Sequence, residues 1–272
     1  MLVVHNFSYG LVTPVLAYLM SCLGSFLGLR CATRARAHQG QARAKWLLLA
    51  GLSIGTTGIW VMHFIAMLGF TIPGQTIDYN VPITILSMLV AVGIVCVGLL
   101  IVGFGGEGYR PLLLAGLITG LGVATMHYMG MAAMRMMGRV TYDPLLFLLS
   151  VVIAVIAATA ALWAALRLRG VLATLGAALI MGIAVSGMHY TGMAAMRMYP
   201  ASGPAGMVMG TAGGATAESF LLPLIIGISV VAFMLTATIV LSPNEDEIRS
   251  DAELMARIEQ LRSEARLVTP SR

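Results

Sequence analysis

The sequence predicts an all-α, polytopic membrane bundle of seven transmembrane helices built from repeated two-helix units, with its amino terminus outside and its carboxyl terminus in the cytoplasm. Three observations predict it. Of the 272 residues, 59% are hydrophobic and only 10% charged, and the mean hydropathy is +0.93; a soluble domain of this size carries far more charge. Seven apolar runs reach the length at which a helix crosses a bilayer, where lipid offers the backbone no hydrogen-bond partner. The third is an internal repeat. TMHYMGMAAMRM at Thr125 to Met136 returns as GMHYTGMAAMRM at Gly187 to Met198, and WVMHFIAM at Trp60 to Met67 is a looser copy.

Taken in order, the expected spans are Phe7 to Leu29, Trp46 to Phe70, Pro82 to Phe104, Pro111 to Met134, Leu145 to Leu166, Val171 to Met196 and Phe220 to Leu241. Met1 to Asn6 lacks a basic start and the first run is span-length, so it reads as a span rather than a cleavable signal. Arg30, Arg34, Arg36, Arg43 and Lys45 crowd the loop after it. Alternating from there, Arg110, Arg167, Arg169 and five tail arginines share that side, against Arg135, Arg139 and Arg197 opposite. Basic residues near span ends are kept in the cytoplasm, which fixes the orientation. The net charge of +5 then faces anionic membrane lipids, and no nucleic-acid motif is present. Cys22, Cys31 and Cys96 show neither metal-type spacing nor an even framework, so they read as reduced and structural. Residues 1–241 are thus the seven-span domain and 242–272 a polar, helix-prone cytoplasmic tail or linker.

His63, His127 and His189 lie 64 and 62 residues apart, each near the carboxyl end of an even-numbered span, so all three reach the outer half of the membrane at one depth. The repeating unit is a pair of spans, which predicts rough internal threefold similarity plus one added helix. His127, Met131 and Met134 occupy i, i+4 and i+7, as do His189, Met193 and Met196; in the first copy His63 and Met67 remain, with Phe70 third. Residues so spaced share one helix face. Gly51, Gly55 and Gly58, then Gly116, Gly120 and Gly122, then Gly176, Gly182 and Gly187 precede the stripes and permit close helix approach.

Methionine is an adaptable apolar filler, and Met20, Met88, Met181 and Met234 read as packing. Histidine inside a span is costly and marks a functional interior. Imidazole and thioether are uncharged donors whose softness suits copper, whereas no Asp or Glu lies inside any span to serve a hard cation. Zinc on three histidines leaves the thioethers idle, and haem needs only one or two axial ligands. A copper transporter or delivery protein, with donors at several depths, and a haem-binding electron-transfer protein, with histidines facing at haem width, are the alternatives. A nucleophile, acid/base pair or phosphate loop is missing from the sequence, so the chain is expected not to be an enzyme.

The segments Gly58 to Phe64, Met126-His127-Tyr128 with Gly130-Met131, and Met188-His189-Tyr190-Thr191 resemble the bacterial MHYT domain, an integral membrane sensor family, over roughly Val4 to Leu241. The resemblance implies an inner-membrane sensor whose Met, His and Tyr residues bind copper and, through it, a diatomic gas such as O2, CO or NO. Carried onto this sequence, it implies His63, His127 and His189 as primary ligands, Met67, Met131 and Met193 as soft ones, and Met62, Met126 and Met188 beside them. Met134 and Met196 border the cofactor, and Tyr128 and Tyr190 orient the ligands or gas. Phe64 departs from the motif where the other copies have Tyr. Many members carry an output module after the membrane part, so a cytoplasmic signalling partner is expected.

His5, just before the first span on the outer side, is a further candidate ligand, whereas His38 sits among loop arginines. Arg135 and Arg197 follow the second and third stripes, with Asp78, Asp143 and Glu218 on the same side as pairing partners. In the tail, Leu254, Ile258, Leu261, Ala265 and Val268 alternate by four and three, about two heptads, which suits a dimerising helix and hence a homodimer.

Overall fold

Six helices long and apolar enough to cross a membrane make up the body of the chain in a computed structural model: α1 (Val12–Arg36), α2 (Gly40–Leu68), α3 (Val81–Phe104), α4 (Tyr109–Ala132), α5 (Pro144–Arg167) and α6 (Val171–Ala195). The structure describes residues 3–106, 108–200 and 215–241, with 255, 257, 258 and 260 in the tail. A seventh helix, α7 (Leu222–Leu241), follows a π-turn at Ala217–Leu221. Its apolar stretch, Ser219–Leu235, is shorter than the six, so the expected seventh span is a helix of lesser apolar length. The chain divides into Met1–Phe233 and Met234–Arg272. Of the expected helix-prone tail, 242–272, all but four helical residues lie outside the described ones.

The six helices form a closed ring. Each packs on its neighbour in sequence, and α6 packs back on α1. Glycines set the contacts. A Cβ on Gly55 would fall 2.7 Å from Val92 Cα on α3, and one on Gly120 would fall 2.7 Å from Val155 N on α5. Val92 and Val155 each stand twelve residues after a helix-capping side chain, Asn80 and Asp143. Gly51 against Cys96 and Gly116 against Thr159 repeat the match one turn further on. Gly182 closes the ring against Tyr18 and Cys22 of α1, while Gly176 and Gly187 meet nothing within 4 Å. Backbone-to-backbone approach of this kind is how helices associate where the hydrophobic effect offers no drive.

The first repeat contains one residue more than the second, because Gly55 precedes His63 by eight positions and Gly120 precedes His127 by seven. A π-helical segment, Ile54–Val61, absorbs it within α2. Such wide turns insert a residue without ending the helix, and they cluster at functional sites.

Asn80 accepts from Ile83 N at 3.1 Å and Asp143 from Leu145 N and Leu146 N at 3.1 and 3.2 Å, each just before a proline-containing first turn. Side-chain caps with proline in the first turn are strong helix starts. Polarity is inverted relative to a soluble bundle. Thr57, Thr84, Ser87, Thr119 and Ser150 are buried, whereas Leu86, Leu89, Ile156 and Ile183 face outward and are more than half exposed. That arrangement suits a hydrocarbon surround.

A roof of short antiparallel strands lies at the carboxyl ends of α2, α4 and α6. β1 (Asp78–Tyr79) pairs with β2 (Met134–Arg135) and with β5 (Ala215–Thr216), while β3 (Arg139–Tyr142) pairs with β4 (Met196–Tyr199). An isolated bridge joins His5 to Thr71. In each repeat, therefore, the segment leaving the histidine helix pairs with the one entering the helix before it.

Candidate metal centre

Near their carboxyl ends α2, α4 and α6 meet at the centre of the ring, and each delivers one histidine there. His63, His127 and His189 are 1%, 0% and 1% exposed, and one ligand nitrogen from each lies within 4.8 Å of the others. His63 Nδ1 is 3.0 Å from His189 Nδ1 and 3.1 Å from His127 Nδ1. The rings stand edge to face, with centroids 4.9, 4.9 and 5.1 Å apart. Among the described residues this is the one His, Cys, Asp or Glu cluster of metal-holding geometry.

As free neutral imidazoles the three are poorly satisfied. A ring nitrogen carries one proton or one lone pair, yet His63 Nδ1 faces two others. Nε2 of His63 and of His127 is buried without a hydrogen-bond partner. Each of those atoms lies over a glycine of the next repeat: a Cβ on Gly130 would overlap His63 Nε2, and one on Gly192 would overlap His127 Nε2. Both glycines stand three residues after their own histidine, and the corresponding residue in the first copy is Ala66. Expectation from the sequence placed weight on glycines before each stripe. The glycines inside the motif seat the imidazoles.

Met62, Met126 and Met188, directly before the histidines, are at most 2% exposed, and Met67, Met131 and Met193, one turn beyond, are at most 4% exposed. The expected i+7 position needs correction. α4 ends at Ala132 and α6 at Ala195, so Met134 and Met196, though buried, lie in β2 and β4 rather than on the helical stripe. The backbone leaves the helix there to pair in the roof, as Asn80 N donates to Ala133 O at 2.8 Å and Asp143 N to Ala195 O at 2.7 Å. His5 is exposed and outside the cluster; its backbone pairs with Thr71 at 2.8 and 2.9 Å.

Tyr128 and Tyr190 pack their rings edge to face on His127 and His189, with centroids 4.8 and 4.9 Å apart, and neither hydroxyl bonds a histidine. Tyr128 Oη shares a 2.6 Å hydrogen bond with Ser150 Oγ on α5 and packs on Phe147 at 4.6 Å. Ser87 occupies the corresponding place on α3, seven residues after the cap. In that repeat, where Phe64 replaces tyrosine, Trp60 Nε1 donates to Ser87 Oγ at 3.0 Å instead. A tryptophan three residues before the histidine thus does the work of the missing hydroxyl. Tyr190 Oη is buried without a partner, and its ring meets Phe7 at 5.4 Å. Of the bordering charges, Arg197 pairs with Asp143 at 3.8 Å. In the roof, burial pushes the Tyr142 phenol up to about 12, so it stays uncharged beside Tyr128.

Beneath the histidines lies an apolar cavity of about 50 Å³. Ile59, Val123 and Val185 line it, each four residues before a histidine, together with Met188.

Three consecutive stretches, 57–116, 120–178 and 182–246, match the family model described as the bacterial signalling protein N terminal repeat, MHYT. The chain belongs to the MHYT family. Over 257 residues it is 39% identical to the bifunctional diguanylate cyclase/cyclic di-GMP phosphodiesterase MucR of Pseudomonas aeruginosa, covering 92% of this chain and 36% of that protein. The cyclic di-GMP phosphodiesterase NbdA of the same organism is 39% identical over 71% of this chain and 25% of its own length. The signaling protein YkoW of Bacillus subtilis is 29% identical over 74% and 26%. The MHYT chain therefore spans a quarter to little more than a third of these relatives. No solved structure matches it.

Proposed function

We propose that this chain is the membrane-embedded sensing part of a bacterial inner-membrane signalling protein, which holds copper on His63, His127 and His189 and responds to a diatomic gas or to redox state. The observation that carries the reading is the convergence of three buried Nδ1 atoms that free imidazoles cannot satisfy. A cation accepting a lone pair from each relieves that frustration, and an uncharged donor set with buried thioethers nearby suits copper more than a hard cation. Copper there supplies a redox-active centre able to take a small diatomic ligand.

The protein's own groups hold, shield and transmit. The three imidazoles bind. Gly130 and Gly192 admit their rings, Met67, Met131 and Met193 wall the outer side, and the strand roof excludes water. The cavity beneath offers apolar space of the size a diatomic molecule needs. Ring contacts between centroids 4.9–5.1 Å apart leave no width for a porphyrin, which weighs against haem. We further propose seven spans, an outer amino terminus, and α7 as the route by which a change in helix packing reaches a cytoplasmic output partner; in this reading the chain itself is not an enzyme.

The test is metal content by mass spectrometry after Cu(I) loading in detergent. The parent should hold about one copper per chain and His5→Ala should match it, while the folded triple variant His63→Ala, His127→Ala, His189→Ala should hold none. A folded parent that binds no copper overturns the reading. Passage of copper across proteoliposomes would move it to a transporter.

A further inference from the structure

At the end of the bundle opposite the histidines, the carboxyl ends of α1, α3 and α5 and the start of α2 enclose a cleft of about 490 Å³. Arg36, Arg43, Arg167 and Arg169 line it, and none of the described lining residues is acidic. We propose that this cleft binds a phosphate group, carried either by an anionic phospholipid headgroup or by a soluble phosphate.

Four guanidiniums around one cleft need a reason. Helix carboxyl ends carry partial negative charge and attract cations, and for Arg36 that suffices. Its two terminal nitrogens donate to Ala165 O and Leu168 O, which secures the end of α5. The same reason fails for Arg43. It sits in the first turn of α2, where the helix dipole disfavours a cation. Its guanidinium is held 5.6 Å over the Phe104 ring, and its Nε is buried with no hydrogen-bond partner. A buried donor left without a partner is unfavourable, and an anionic acceptor in the cleft would satisfy it. Arg167 and Arg169 are exposed at its rim. Arg43 thus offers a ring-stacked fork, and Arg167 and Arg169 add two exposed cations to the same cleft. A planar fork matches phosphate oxygens in pairs, and basic clefts between membrane helices accept lipid phosphates. The site stands apart from the metal reading, because its residues and the histidines lie at opposite ends.

The whole chain is tested in two arms. In the lipid arm, nanodiscs of phosphatidylcholine with phosphatidic acid as the minor component are assembled and the lipids retained after detergent extraction are counted by native mass spectrometry. In the soluble arm, the detergent-purified chain is titrated with inorganic phosphate at constant ionic strength and thermal unfolding is followed. Each arginine near an anionic group contributes roughly 1 kcal/mol, or about fivefold. Arg43→Gln should therefore weaken binding at least about fivefold, and Arg167→Gln with Arg169→Gln about 25-fold. Arg43→Lys keeps the charge but lacks the fork and should fall between. Retention of phosphatidic acid assigns a headgroup, and a phosphate-dependent rise in unfolding temperature assigns a soluble phosphate. Should Arg43→Gln misfold, the exposed Arg167 and Arg169 double variant decides. Absence of binding in both arms, or binding undiminished in the folded variants, overturns the proposal.

Discussion

On the proposed copper reading, adding one carbon to Gly130 or Gly192 should weaken copper binding without unfolding the bundle. A Cβ on Gly130 would fall 2.9 Å from Cδ2 and 3.3 Å from Cε1 of His63, and nearer still to Nε2; on Gly192 it would fall 2.9 and 3.2 Å from the same atoms of His127. Carbon contacts settle at about 3.5 Å or more, and the ring nitrogen is the closest atom, so each imidazole must move by roughly 1 Å or the two helices must part. Ligand positions tolerate only about 0.2 Å before a site is compromised. Overpacking of this degree costs about 1–3 kcal/mol, which leaves the fold standing, while displaced support around a ligand lowers metal affinity roughly 10–100-fold. Competition for Cu(I) against a coloured chelator measures the affinity, and unfolding in detergent measures the stability. Gly93→Ala is the control, since a Cβ there meets nothing within 4 Å. Copper affinity in Gly130→Ala equal to that of the parent would refute the seating role of the glycines.

The two tyrosines should respond in opposite directions. Tyr128→Phe loses the 2.6 Å bond to Ser150 and about 1 kcal/mol of stability, whereas Tyr190→Phe removes a buried, unpartnered hydroxyl and should be neutral or stabilising, both read by thermal unfolding. Trp60→Phe leaves Ser87 Oγ without the indole donor and should lower stability by about 1–3 kcal/mol while copper content persists, since the ring meets Phe64 rather than the histidine cluster. In Gly120→Ala the new carbon would meet Val155 and Ala154 backbone at 2.7 and 2.9 Å, so unfolding should show a loss of about 1–3 kcal/mol that rotamer changes cannot relieve.

The recurrence of histidine with methionine every 62 or 64 residues, set in runs too apolar for water, determined by itself that the helices cross a membrane-like medium in pairs and that three imidazoles share a level. Composition and periodicity carry such information because span length and burial of backbone polar groups are local requirements of each segment. What lay across the bundle could not be read locally. That α1 closes the ring on α6, that Gly130 and Gly192 seat a neighbour's histidine, and that Trp60 answers for the tyrosine missing at Phe64 all depend on which helix lies opposite. So does the departure of Met134 and Met196 from the helical stripe, since the pull that ends each helix comes from Asn80 and Asp143 backbone far away in sequence. The extra residue before His63 is placed only by the packing of Gly55 on Val92, matched to Gly120 on Val155, which holds it in a π turn so that His63 meets the other two imidazoles.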